Sequence, residues 1–137
     1  MSELTAVRLI WLAGAIHAGI VFANIPLPQR LRVRENFAGV PRYLRQIFYV
    51  HWIYIVLVVG FFSALCFGFT HDLAGTSPLG RFLSVFMCGF WMLRVFLQWF
   101  YYDPEIRRAN RGLDAVYLVA LAALIVIFGW VSLVPTA

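Results

Sequence analysis

Four stretches of this chain are apolar for about twenty residues each, and nothing else in the sequence limits its fold as much. They fall near 4–25, 47–70, 79–102 and 113–134. A helix rising 1.5 Å per residue needs roughly 20 residues to cross a hydrocarbon core of about 30 Å. None of the four alternates in the manner of a half-buried strand, and lipid leaves no place for unpaired backbone polar groups. Composition points the same way: 63% of residues are hydrophobic and 12% charged, where a soluble domain carries about a quarter charged. The expected fold is all-α, an integral membrane four-helix bundle forming one domain over residues 1–137.

The first stretch is expected to stay as a helix of the mature protein. Its start carries Glu3 ahead of any basic residue, no small-residue cleavage site follows it, and the residues after it are basic. A secretory leader has the opposite pattern.

The arginines set the expected orientation. All eleven basic residues are arginines. The segment 26–46 holds Arg30, Arg32, Arg34, Arg42 and Arg45 against Glu35 alone. The segment 71–78 holds none, and 103–112 holds Arg107, Arg108 and Arg111. Short loops rich in arginine stay in the cytoplasm. Loops 26–46 and 103–112 are therefore expected inside and both termini outside (N-out/C-out), with the protein in the cytoplasmic (inner) membrane of a bacterium. The net charge of +5 then belongs to the membrane surface rather than to nucleic acid. Within the first loop Leu31, Val33, Phe37 and Val40 alternate with arginines, a pattern for a segment lying at headgroup level on anionic lipid.

Proline marks the breaks. Pro26 and Pro28 end the first helix, and Pro41 breaks the loop again. Ser77 is placed to cap the third helix and Asp114 to sit in the first turn of the fourth. In the first helix Gly14 and Ala18, and Ala15 and Gly19, form pairs four apart that would let a neighbouring backbone come close. Cys66 and Cys88 lack a CxxC pattern and are expected as free thiols filling helix interfaces.

Arg94 is the residue that most needs explaining. It lies about nine residues inside the third stretch, where a charge costs roughly 2.5–3.5 kcal/mol and so usually faces protein or water. The nearest acids, Asp103 and Asp114, fall at span ends. Trp91, Arg94, Gln98, Tyr101 and Glu105 recur every three to four residues and share a helix face. His17 in the first helix, and His51 with Tyr54 in the second, are expected in the same cytoplasmic half. The candidate ligand-binding set is thus Arg94, Gln98, His17, His51, Tyr54, Trp91 and Tyr101. No catalytic residue is assigned and no metal site is expected.

Several functions remain open at this point. The leading one is a lipid-binding membrane protein whose cytoplasmic-leaflet cavity around Arg94 holds a lipid-like or quinone-like molecule. A second is a small membrane enzyme using His17 or His51 as acid/base. A third is an accessory or structural subunit of a larger membrane complex, or a homo-oligomer, in which Arg94 meets a partner's acid. A fourth is a haem b protein with His17 and His51 as axial ligands. A packing role for each histidine, and a snorkelling Arg94, compete with all of these.

In topology alone the layout is similar to the membrane-associated eicosanoid and glutathione metabolism family. That family's second helix pairs arginine with an asparagine and a glutamate. The stretch from Arg42 to His51 lacks both, so no site is carried over.

Overall fold

A computed structural model describes residues 2–75, 77–101 and 111–133. Seven helices are described: α1 (Glu3–Asn24), α2 (Leu27–Arg30), α3 (Val33–Asn36), α4 (Arg42–Gly68), α5 (Thr70–Ala74), α6 (Pro78–Phe100) and α7 (Arg111–Leu133). Among the described residues there is no strand. Four of the helices, α1, α4, α6 and α7, are long and apolar enough to cross a membrane. Tyr102, Asp103, Glu105, Arg107 and Arg108, which the sequence places at the third turn, lie outside the described residues.

The helix ends follow from local chemistry. Ser2 caps α1, its Oγ accepting from the Thr5 amide at 3.3 Å. Pro26 and Pro28 follow the end of α1. As expected, Ser77 caps α6, accepting from the Gly80 amide at 3.0 Å, with Pro78 in the first turn. Asp114 stands in the first turn of α7. The second long helix departs from expectation. It begins at Arg42 rather than near residue 47, because Pro41 supplies an extended N-cap and the polar first turn still propagates. The expected loop 26–46 therefore also contains α2, α3 and the start of α4. Arg32 joins α2 to α3 in the left-handed region, φ 46°.

The long helices form two antiparallel hairpins, α1 with α4 and α6 with α7, joined face to face through α1 and α7. The register of the first is fixed by Ser63 Oγ donating to the Gly14 carbonyl at 2.9 Å and by the Trp52 indole N–H donating to the Asn24 carbonyl at 3.1 Å. Gly14 is where the backbones come closest: a Cβ there would lie 3.0 Å from the Cys66 Cβ and the Phe67 ring. Gly19, of the expected pair Ala15 and Gly19, faces open space. Gly14→Ala should therefore cost about 1 kcal/mol by overpacking, while Gly19→Ala should change little. Denaturation of the two purified variants side by side checks this. Gly80 plays a similar part at α5, since any Cβ there would overlap the Asp72 carbonyl. Both cysteines are free, with Cys66 buried in the α1–α4 seam.

One end of the bundle carries the N-terminus, α5 and the end of α7; the other carries α2, α3 and most of the arginines. We call them the terminal end and the arginine end. The core is concentrated toward the terminal end. On α1 the buried stripe runs Ala6, Ile10, Ala13, Gly14, His17 and Ile20. On α4 burial is confined to Val59, Phe62, Ser63 and Cys66, so the first half of this helix has no fully buried side chain. The outward faces are apolar: Trp11, Phe22, Ile53, Phe61, Phe82, Leu93 and Val119 are all exposed. So much uncovered apolar surface fits lipid as the surrounding solvent.

Ser84 is a local anomaly, fully buried on α6 with its hydroxyl unpartnered among the described residues. An unmet hydroxyl loses more by desolvation than it contributes. Ser84→Ala should be neutral or stabilising, whereas Ser63→Ala, which removes a made bond, should cost about 0.6 kcal/mol. Thermal melts of the two variants decide it.

Candidate functional site

His17 occupies the point where all four long helices meet. It has no exposed surface. Its ring lies 5.7 Å from Phe62 of α4, 5.5 Å from Trp91 of α6 and 5.8 Å from Phe128 of α7. The indole N–H of Trp91 can only donate, and it points at His17 Nε2 at 3.0 Å. The Ala13 carbonyl can only accept, and it lies 2.7 Å from His17 Nδ1. Both partners are compatible with one form of the ring: neutral, with the proton on Nδ1. Neither nitrogen is left to meet a ligand in this arrangement.

Arg94 sits one helical turn further toward the arginine end and is half-buried. Its Nη1 donates to Gln98 Oε1 at 2.8 Å, and Gln98 Nε2 donates to Asp114 Oδ1 of α7 at 2.6 Å. The Tyr117 ring lies 5.5 Å from the guanidinium carbon. The expectation that the spans offer no acid to Arg94 needs correction. Asp114 does not stay at the interface as a bystander: buried Gln98 relays it to the guanidinium. The charge is thus held inside the α6–α7 hairpin by a bonded chain.

The remaining candidates lie on the surface. His51, Tyr54 and Tyr101 are exposed. His51 Nδ1 donates to the Ile47 carbonyl one turn back, at 2.9 Å, which leaves its Nε2 as the open position. His51 is eleven residues from Phe62, the α4 residue level with His17, so about 16 Å separates the two levels. The structure thus joins His17 to Trp91 and Arg94 to Gln98, but does not bring the two histidines together.

Helical spacing places His51 more closely. Residues eleven apart return to the same face after three turns, so His51 shares its face with Phe62. Tyr101 stands in the same relation to Phe90. Phe62 and Phe90 touch edge to face with ring centres 5.2 Å apart, and Phe86 adds a contact at 6.2 Å. The α4 and α6 faces are therefore clamped together at this level. Between the clamp and the arginine end both stripes are uncovered: Ile55 and Val58 on one side, Leu97 on the other. His51 and Tyr101 are exposed further along these same two faces.

No family model, curated protein or solved structure matches the chain. The site must be judged on its own chemistry. Among the described residues no group of three or more His, Cys, Asp and Glu could hold a metal ion. The sequence puts Trp91 in the candidate ligand-binding set, whereas the structure makes it the donor to His17. The Phe62–Phe90 clamp was missed as well. The eleven-residue spacings were visible, but which faces meet depends on how the hairpins pack.

Proposed function

We propose that this protein is a lipid-binding or accessory protein of the bacterial cytoplasmic membrane, crossing it four times with both termini outside. The arginine end then faces the cytoplasm, as short basic loops require. One observation carries the functional part. Beyond the Phe62–Phe90 contact, the helix faces that carry it leave Ile55, Val58 and Leu97 exposed, with His51 and Tyr101 further along the same faces. We take these faces to bound an apolar crevice suited to an amphiphile, its tail between α4 and α6 and its oxygen-rich head at His51, Tyr101 and the Arg94–Gln98 pair. His17 is not a ligand contact in this reading; it holds the bundle closed above the guest.

Extraction of the protein in mild detergent, followed by mass spectrometry of co-purifying amphiphiles, tests the proposal. Val58→Trp, which fills the crevice without touching the core, should reduce the retained amphiphile by a large factor, and Arg94→Leu should reduce it less. An unchanged profile in both variants would refute a guest at this place.

A second reading follows from the same surface: the exposed apolar faces of α4 and α6 also suit a helix of a partner subunit. Crosslinking in intact membranes through a cysteine placed at Val58 separates the two. A stoichiometric protein adduct favours the accessory subunit, and recovery of the monomer with lipid favours the amphiphile. The enzyme alternative places acid/base chemistry on exposed His51 rather than on His17, whose two ring nitrogens are both engaged.

A further inference from the structure

A second feature of the arginine end lies on the other side of α4, away from the crevice. The α2–α3 segment folds back on the first turns of α4 and encloses a cleft of about 440 Å³. Its polar wall is made by Gln29, Arg32, Arg34, Glu35 and Tyr49, and Ile25, Pro28 and Trp52 contribute apolar surface.

The cleft is built rather than incidental. Val33 is buried, which seats α3 against the bundle. Phe37 packs on Phe48 of α4 with ring centres 5.1 Å apart. Trp52, also lining the cleft, ties the end of α1 to α4 through the Asn24 carbonyl. Asn36 Nδ2 donates to the Leu31 carbonyl at 2.7 Å and closes the turn around Arg32. Arg32 itself occupies the left-handed region at φ 46°, a conformation that a non-glycine residue adopts only when its surroundings impose it.

The charges are not balanced within the cleft. Arg32 is 3.7 Å from Glu35 in an exposed pair. Arg34 has no carboxylate partner among the described residues. Arg30, Arg42 and Arg45 on the same segment add to the positive field. A guanidinium with planar N–H donors matches phosphate oxygens in pairs. Ile25 and Trp52 would be left uncovered by a bare inorganic anion, whereas a lipid brings an acyl chain to cover them.

We infer that this cleft is a binding site for an anionic phospholipid, its phosphate held by Arg34 with help from Gln29 and Tyr49, and its first chain methylenes lying on Ile25 and Trp52. The inference rests on the membrane-spanning reading but not on the crevice between α4 and α6. Carbonate extraction of membranes tests the former separately: release of the protein into the supernatant would overturn membrane insertion and the lipid site together.

The site itself is tested by native mass spectrometry of the detergent-solubilised protein titrated with phosphatidylglycerol, phosphatidylcholine or inorganic phosphate. Phosphatidylglycerol should bind in preference to phosphatidylcholine, and inorganic phosphate should not displace it. Arg34→Gln should weaken phosphatidylglycerol binding about fivefold, the effect of one arginine near an anionic surface. Arg8→Gln, which removes the same charge from the terminal end, should not. Equal losses in the two variants would reduce the effect to net charge and overturn the site. Equal binding of the two lipids, or ready displacement by inorganic phosphate, would overturn the assignment to an anionic lipid. Val58→Trp, which blocks the crevice, should leave this binding unchanged; loss in that variant instead would place the lipid in the crevice.

Discussion

Trp91→Ala should destabilise the protein by about 3–5 kcal/mol, more than any other single change considered, as large-to-small changes at buried aromatic positions do. Trp91 is 2% exposed and touches His17 and Phe90, so its removal opens a cavity where α1, α4, α6 and α7 converge. A reversible unfolding titration in mixed micelles measures the loss. The hydrogen bond contributes a separable part. Trp91→Phe keeps most of the ring but strips the donor from His17 Nε2, a buried acceptor that then goes unmet. That change should cost about 1–3 kcal/mol. In a double-mutant cycle with His17→Phe, the coupling should lie between about 0.6 and 1.7 kcal/mol, the range for hydrogen bonds between membrane helices. Additive losses would mean that the two side chains merely share a pocket, and that the neutral His17 form is not fixed by Trp91.

The backbone plan was legible from the sequence because a span reports itself through length and apolarity. Ser77, Pro26 and Asp114 marked helix ends through properties that belong to single residues. The start of α4 was misjudged because Arg42, Arg45 and Gln46 look like loop by polarity, yet nothing after Pro41 prevents helix formation and the turn extends into them. Gly14 and Gly19 were indistinguishable in sequence, and only the position of α4 makes one a contact and the other open surface. The polar residues were harder still. His17, His51 and Arg94 were grouped by depth alone, since depth is what distance from a span end gives. Their separation depends on azimuth and on how two hairpins meet. His17 points into the four-helix junction, His51 lies exposed on α4, and Arg94 turns toward α7. That difference changes the function inferred for each. A histidine with both nitrogens occupied acts as a joint, and an exposed one with an open Nε2 is the one the proposal assigns to a guest.

Gln98→Leu should be the second most damaging change, with a loss of about 1.5–3 kcal/mol, the value of a hydrogen bond to a charged group. Gln98 is buried and serves two charged groups at once, accepting from Arg94 and donating to Asp114. Leucine fills nearly the same volume and is the better residue in lipid, so transfer energy alone predicts stabilisation. The sign of the effect therefore discriminates. If the relay holds α6 to α7, Gln98→Leu lowers stability, and the further change Asp114→Asn adds less in the Gln98→Leu background than it does in the parent. If Arg94 simply reaches headgroup water, Gln98→Leu is neutral or stabilising, and the two changes are independent. Gln98→Glu sharpens the comparison, because it keeps the length and the contact with Arg94 but sets a second carboxylate against Asp114. It should weaken the α6–α7 hairpin at high pH and recover as the pH falls and one of the two carboxylates takes up a proton. Unfolding measured at two pH values on the same variant reads this directly. Loss of stability on lowering the pH would contradict a Gln98 side chain lying between the two charges.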